Sequence, residues 1–106
     1  MAERHPGETA ELRRLRRRID ALDRRIVGLL NERAELGREV GRAKLAAGRR
    51  AIADAERERE VLLRVTMANA GPLPQGELLA IYRRLIAATK AIEARDRKRP
   101  ERTDGD

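Results

Sequence analysis

Two cations interrupt the apolar side of a long predicted helix. Apolar residues before and after Arg33 recur every three or four positions, so Arg33 stands where a core residue is expected. Lys44 follows eleven residues later, close to three helical turns and about 16 Å along the same side. Because burying a cation is costly unless an anion meets it, the pair predicts a site that holds a small anion at both ends. Taken singly, Arg33 could instead pair with an acid of a partner helix, and Lys44 could complement a helix dipole.

A second group of polar residues follows in the segment DAERERE. Asp54 and Glu58 share a helical stripe with Val61 and Val65, so Glu58 aligns with core positions. Arg57 lies three residues after Asp54, which allows a local pair between the two. The same charge run is also typical of a solvated helix face, and the residues alone leave both interpretations open.

The third helix also directs polar groups inward. Thr89 and Glu93 continue the stripe of Tyr82 and Ile86, on or beside the buried side, although they could also lie at a wet boundary. Each helix thus aims at least one polar group toward the interior. Helical bundles build ligand sites in this way, and the spacing by itself predicts an anion-binding helical dimer.

Three helices must position these residues. The first is predicted to begin after Thr9 as N-cap and to run about 38 residues, or roughly 55 Å, to the break at Gly48. The second is predicted over Asp54–Ala70 and the third over Gln75–Ala94, separated by the stop signal GPLP. The first helix is too long for the rest of this chain to cover, which favours pairing with the same helix of a second copy.

Composition supports an all-α protein. The 106 residues include one aromatic residue, Tyr82, so a core of aliphatic side chains on helices is expected. There is no cysteine and the one histidine, His5, lies in a polar leader, which argues against thiolate or histidine metal sites. The predicted domain covers residues 9–94, with a disordered leader at 1–8 and a charged flexible tail at 95–106. Neither a secretory signal nor a membrane span is evident, so we expect a soluble, cytoplasmic protein.

The net charge of +7 and the segment RRLRRR (13–18) leave a second class of function open. A basic coiled-coil module could bind nucleic acid or a partner helix. Against it, the chain shows no recognised DNA-binding motif and, with Tyr82 as its one aromatic residue, no set of aromatics for stacking on bases. Inward-facing cations and acids would also be unexplained, so we expect no nucleic-acid partner and no membrane partner.

The segment LRRRIDALDRRIVGLLNERAELGREVGRAK (15–44), followed by DAERERE (54–60), resembles the all-helical chorismate mutases. The resemblance extends over roughly residues 11–94. It implies an isomerase that converts chorismate to prephenate by an intramolecular Claisen rearrangement, without cofactor, metal or covalent intermediate. It also implies a three-helix protomer with a very long first helix, two of which form an intertwined homodimer.

The resemblance assigns roles to the cations. Arg16, donated by the partner subunit, and Arg33 would clamp the two substrate carboxylates through bidentate guanidinium groups. Arg16 and Arg33 lie about 25 Å apart along one helix, so only an antiparallel partner can bring them together. Lys44 would bind the ether oxygen and a carboxylate.

The remaining assignments concern the second and third helices. Arg57 would support substrate binding, while Asp54 and Glu58 would receive the ring hydroxyl. Thr89 and Glu93 occupy the positions of a small hydroxyl residue and of a Gln or Glu that donates to the ether oxygen. Because a glutamate donates only when protonated, burial must keep the Glu93 carboxyl neutral, and activity is expected to fall as the pH rises and the proton is lost.

The same scaffold also serves a 4-amino-4-deoxychorismate mutase and an isochorismate pyruvate lyase. Two carboxylates, Asp54 and Glu58, beside the substrate's C4 substituent could receive an ammonium as well as a hydroxyl, so the sequence leaves this alternative open. Nothing in the chain resembles a fused dehydratase, dehydrogenase or amino-acid-binding domain. We therefore expect a stand-alone form of the enzyme.

Overall fold

A computed structural model describes residues 7–49 and 54–98, and these residues form three α-helices without any strand. Helix α1 spans Ala10–Ala46, α2 spans Ala55–Ala68 and α3 spans Gln75–Lys98. The predicted all-α class with a very long first helix is confirmed. Over the same ranges, every helix is too short or too rich in charge to cross a lipid bilayer.

Capping residues set most helix ends. The Thr9 hydroxyl accepts a hydrogen bond from the Leu12 amide at 3.1 Å, as predicted for an N-cap. At the other end of α1, Gly48 adopts a φ of 80° and its amide donates to the Leu45 carbonyl at 3.0 Å. Only glycine takes this left-handed conformation without strain, which explains why the helix stops here.

Two helix ends differ from the predicted ones. Helix α2 stops at Ala68, two residues early, because Asn69 is extended and serves as the C-cap. Helix α3 continues four residues beyond the predicted end at Ala94, because its last turn contacts the rest of the chain. There the Asp96 carboxylate accepts a hydrogen bond from Arg38 Nε at 2.9 Å. Of the predicted leader and tail, residues 1–6 and 99–106 lie outside the described residues.

The chain divides into two compact units, the first ending at Arg33 and the second beginning at Ala34. The second unit contains the last part of α1 together with α2 and α3. Within it, two glycines of α1 face α3. A side chain at Gly37 would clash with the methyl group of Thr89, and Gly41 is buried against Glu93. The two helices therefore approach closely because neither position carries a side chain.

Apolar side chains remain exposed in the single chain. Among the described residues no hydrophobic side chain is fully buried. The stripe of α1 is exposed along most of its length, with Leu22 at 50 %, Leu29 at 58 % and Leu36 at 60 %. Such a continuous apolar surface is characteristic of a face that packs against another molecule.

We predict that Gly37→Ala destabilises the fold. Overpacking against the Thr89 methyl group costs about 1–3 kcal/mol, partly offset by the higher helix propensity of alanine. The double variant Gly37→Ala/Thr89→Ser removes that methyl group and should recover the lost stability. Thermal unfolding followed by circular dichroism measures both effects.

Gly28→Ala is the matched control for this experiment. Gly28 is also in α1, but no neighbouring atom lies within 4 Å of an added side chain. Its replacement should leave the melting temperature unchanged or raise it. Equal melting temperatures for the Gly37→Ala and Gly28→Ala variants would contradict the close contact of α1 with α3.

Candidate functional site

Glu93 is the most deeply buried polar residue of the described chain, with 7 % of its surface exposed. It lies over Gly41, whose missing side chain leaves room for the carboxyl group. Oxygen Oε1 is buried and has no hydrogen-bond partner among the described residues. A buried carboxyl oxygen without a partner is costly, and this marks the position as a candidate for ligand contact. The inward direction predicted for Glu93 is confirmed.

Thr89 lies one helical turn before Glu93 and is half-buried. Its hydroxyl donates to the Leu85 carbonyl at 3.0 Å, and its methyl group faces Gly37. The hydroxyl oxygen can still accept a hydrogen bond while it donates to the backbone. The side chain thus combines packing against α1 with an available acceptor.

Asp54 caps helix α2. Its Oδ1 accepts a hydrogen bond from the Arg57 amide at 3.0 Å, and Oδ2 lies 3.7 Å from the Arg49 guanidinium. The hydrogen bond from the Arg57 amide lowers the pKa of Asp54, the charges of Arg49 and Lys44 add to this effect, and partial burial opposes it. Lys44 is half-buried in the last turn of α1, and its charge acts on Asp54 within the same unit.

Glu58 pairs with Lys90, a residue that the sequence did not indicate. The Lys90 ammonium nitrogen lies 2.9 Å from Oε2 of Glu58, and both side chains are about two-thirds buried. This pair joins α2 to α3. Lys90 lies four residues after Ile86 on the third-helix stripe, and this spacing could have indicated that Lys90 is on the same side of the helix.

Arg57 differs from its expected local pairing. The contact with Asp54 is made by the backbone amide of Arg57, whereas its guanidinium pairs with Glu60 on the same helix. The Arg57 side chain is 59 % exposed. In the single chain it therefore does not join the carboxylates of Asp54 and Glu58.

Arg16 and Arg33 belong to the first unit, whereas the other predicted site residues belong to the second. Arg16 forms an ion pair with Glu8 and its side chain is 58 % exposed. Arg33 is half-buried. The second unit contains the other residues from three helices, namely Lys44 of α1, Asp54 and Glu58 at the start of α2, and Thr89, Lys90 and Glu93 of α3.

The chemistry of this group is that of charge and hydrogen bonding. Lys44 and Lys90 supply positive charge, and Asp54 and Glu58 accept hydrogen bonds. Glu93 can donate a hydrogen bond when protonated. In the described ranges no three histidine, aspartate or glutamate side chains are grouped as ligands for a metal ion. The arrangement suits binding and electrostatic stabilisation of a polar anion.

Comparisons with known proteins give a consistent result. The sequence model of the family "chorismate mutase type II" matches residues 15–94. The bifunctional chorismate mutase/prephenate dehydratase of Aquifex aeolicus is 40 % identical over 87 residues, which cover 78 % of this chain and 24 % of the relative. That of Stutzerimonas stutzeri is 38 % identical over 91 residues, with 82 % and 25 % covered. The chain thus spans about a quarter of the length of these relatives.

A solved structure shows the same similarity over nearly its full length. The chorismate mutase (form II) from Thermus thermophilus superposes with a TM-score of 0.76 at 32 % identity. The match covers 80 % of this chain and 96 % of the Thermus chain. This match supports the predicted three-helix protomer and the resemblance to the all-helical chorismate mutases.

We predict that Asp54→Asn makes stability less dependent on acid pH. Because its pKa is lowered in the fold from the ordinary 3.8, the Asp54 carboxylate stabilises the protein at higher pH. This contribution is lost as the pH falls through the lowered value. Asparagine keeps the capping oxygen without the charge. The melting temperature of the variant should be lower than that of the wild type at neutral pH, and the difference between them should shrink below about pH 4.

Melting curves between neutral pH and about pH 2.5 measure this difference. Asp20→Asn, which removes an exposed carboxylate from α1, is the control and should melt with the wild type throughout. A gap between wild type and Asp54→Asn that widens toward acid pH would contradict the assignment.

Proposed function

The chain belongs to the chorismate mutase type II family, and from this membership we propose that it converts chorismate to prephenate as a homodimer. The observation that carries the proposal is the buried Glu93 carboxyl, which has an unpartnered oxygen and lies in the same unit as Lys44. The family resemblance implies a Gln or Glu at this position that donates to the ether oxygen. A cytoplasmic location stays a prediction.

The reaction requires no covalent chemistry from the protein. One C–O bond breaks and one C–C bond forms within a single molecule, so no nucleophile is required. Catalysis consists of holding a compact conformer and stabilising negative charge on the ether oxygen. Lys44 and a protonated Glu93 would provide that stabilisation by donating hydrogen bonds from two helices.

The exposed apolar stripe of α1 supports a homodimer. Leu22, Leu29 and Leu36 each expose half or more of their surface in the single chain, and no buried hydrophobic core is formed by the described residues. A second copy of α1 running antiparallel would cover these side chains. The same arrangement would bring Arg16 of the partner subunit toward Arg33, where the two guanidinium groups would bind the substrate carboxylates.

The ion pairs of the carboxylates favour a hydroxyl over an ammonium at C4 of the substrate. Glu58 is already paired with Lys90, and Asp54 is near Arg49 and Lys44. An ammonium would be repelled by these cations, whereas a hydroxyl can donate to either carboxylate without a charge penalty. This supports chorismate rather than its 4-amino analogue as substrate.

We predict that Arg16→Ala and Arg33→Ala each lose most of the mutase activity, measured as the decrease in chorismate absorbance. Mixing the two variants should restore part of this activity. In a mixed dimer one site has lost both arginines and the other keeps both. Random reassociation makes half of the dimers mixed, so about a quarter of wild-type activity should return. The assay is performed after unfolding and refolding the two variants together.

Refolding each variant alone is the control and should give no recovery. A mixture that stays as inactive as its parts would contradict the donation of Arg16 across the interface. An inactive wild type with a normal melting curve would contradict the proposed reaction itself.

We predict that Lys90→Gln shifts selectivity toward 4-amino-4-deoxychorismate. Without the ammonium of Lys90, the Glu58 carboxylate is uncompensated and can pair with a substrate ammonium. The ratio of kcat/KM for the amino substrate to that for chorismate should rise several-fold. Lys98→Gln, at the exposed end of the same helix, is the control and should leave the ratio unchanged. A lower ratio for Lys90→Gln would contradict this account of specificity.

A further inference from the structure

The Glu93 carboxyl is positioned by a glycine of the facing helix. We propose that Gly41, supported by Gly37 one turn earlier, is a positioning residue that fixes where the Glu93 carboxyl meets the substrate. The inference rests on the proposed function, since it concerns the same site. It adds to that function two residues of α1 that do not contact the substrate themselves.

The geometry at Gly41 leaves almost no free space. A side-chain carbon added there would lie 3.0 Å from Cγ of Glu93 and 3.2 Å from its Oε1. Both separations are shorter than ordinary van der Waals contacts. The Glu93 side chain therefore lies directly on the backbone of α1 and uses the space that any other residue would fill.

Glu93 differs from the other two carboxylates of the candidate site. Asp54 is held by the Arg57 amide and Glu58 by the Lys90 ammonium. In contrast, Oε1 of Glu93 is buried without a hydrogen-bond partner. The location of this carboxyl is thus set by the surface that it packs against rather than by a hydrogen bond to that oxygen.

The two helices cannot easily separate to accommodate a larger residue. Arg38 and Asp96 join α1 to α3 through a hydrogen bond of 2.9 Å, three residues beyond Glu93. One turn before Glu93, Thr89 packs against Gly37. Because Thr89 and Asp96, on either side of Glu93 along α3, are both held against α1, a methyl group at Gly41 should displace the flexible carboxyl group more than the helix.

The test is a double-mutant cycle of Gly41→Ala and Glu93→Ala, with kcat and KM for chorismate measured on each protein. Displacing a catalytic group by about 1 Å can cost up to about 100-fold, so Gly41→Ala should lower kcat about 10- to 100-fold. Its KM should stay within about twofold, because the cations still bind the substrate. When Glu93 is already alanine, adding Gly41→Ala should change kcat by less than about twofold.

Gly28→Ala in the same helix is the control and should keep wild-type kcat. An unchanged kcat for Gly41→Ala, no loss of kcat in Glu93→Ala, or an equal loss from Gly41→Ala in both backgrounds would overturn the inference. A folded wild type that does not convert chorismate overturns the proposed function as well. An active wild type with an additive cycle overturns the positioning role alone.

Gly37→Ala provides a second test if Gly41→Ala does not fold. It should displace α3 one turn before Glu93 and lower kcat. Adding Thr89→Ser removes the clashing methyl group and retains the hydroxyl, so Gly37→Ala should lower kcat less in the Thr89→Ser background than in the wild type. A Gly37→Ala variant with full kcat, or a loss that Thr89→Ser leaves uncorrected, would overturn the inference.

Discussion

The close approach of α3 to the backbone of α1 is the contact on which the site depends. Gly37 and Gly41 present no side chains, so Thr89 and Glu93 can pack directly on the helix. This approach buries the Glu93 carboxyl and is maintained further along by the Arg38–Asp96 hydrogen bond. The hydrogen bond to Asp96 and the nearby charges of Asp96 and Glu35 raise the pKa of Arg38.

The acidic groups of the site fall into two kinds. Asp54 and Glu58 are each met by hydrogen-bond donors or cations of the protein itself. Such partners hold the carboxylates in place, which suits acceptors for a substrate hydroxyl. Glu93 is packed against α1 instead of paired, and its Oε1 is buried without a hydrogen-bond partner. The proposed function gives acceptor roles to Asp54 and Glu58 and a donor role to Glu93.

The lack of a buried apolar core among the described residues places a limit on the single chain. Its stability cannot come from the burial of large side chains within one protomer. A second copy that covers the α1 stripe would supply that burial, and it would complete the proposed site with a second arginine. Stability and activity would then depend on the same association. This dependence would explain how Arg16, which belongs to the first unit, could contribute to the proposed site.

Local patterns in the sequence determined the helices and the direction of their polar residues. The three-four spacing predicted α1 and the inward face of Glu93, and Thr9 and Gly48 marked the ends of α1, because these features depend only on neighbours within a turn or two. The motif of residues 15–44 further identified the family, which the comparisons confirmed.

Only the tertiary structure decided which residues meet between helices. The Lys90–Glu58 pair, the Arg38–Asp96 bond across 58 positions, and the contact of Gly41 with Glu93 all depend on how far apart two helices lie and how each is rotated. Spacing along one helix contains neither quantity. For the same reason the sequence did not predict the extension of α3 to Lys98. The last turn of α3 is stabilised by contacts with α1 and with Arg49, which follows α1, rather than by an apolar pattern of its own.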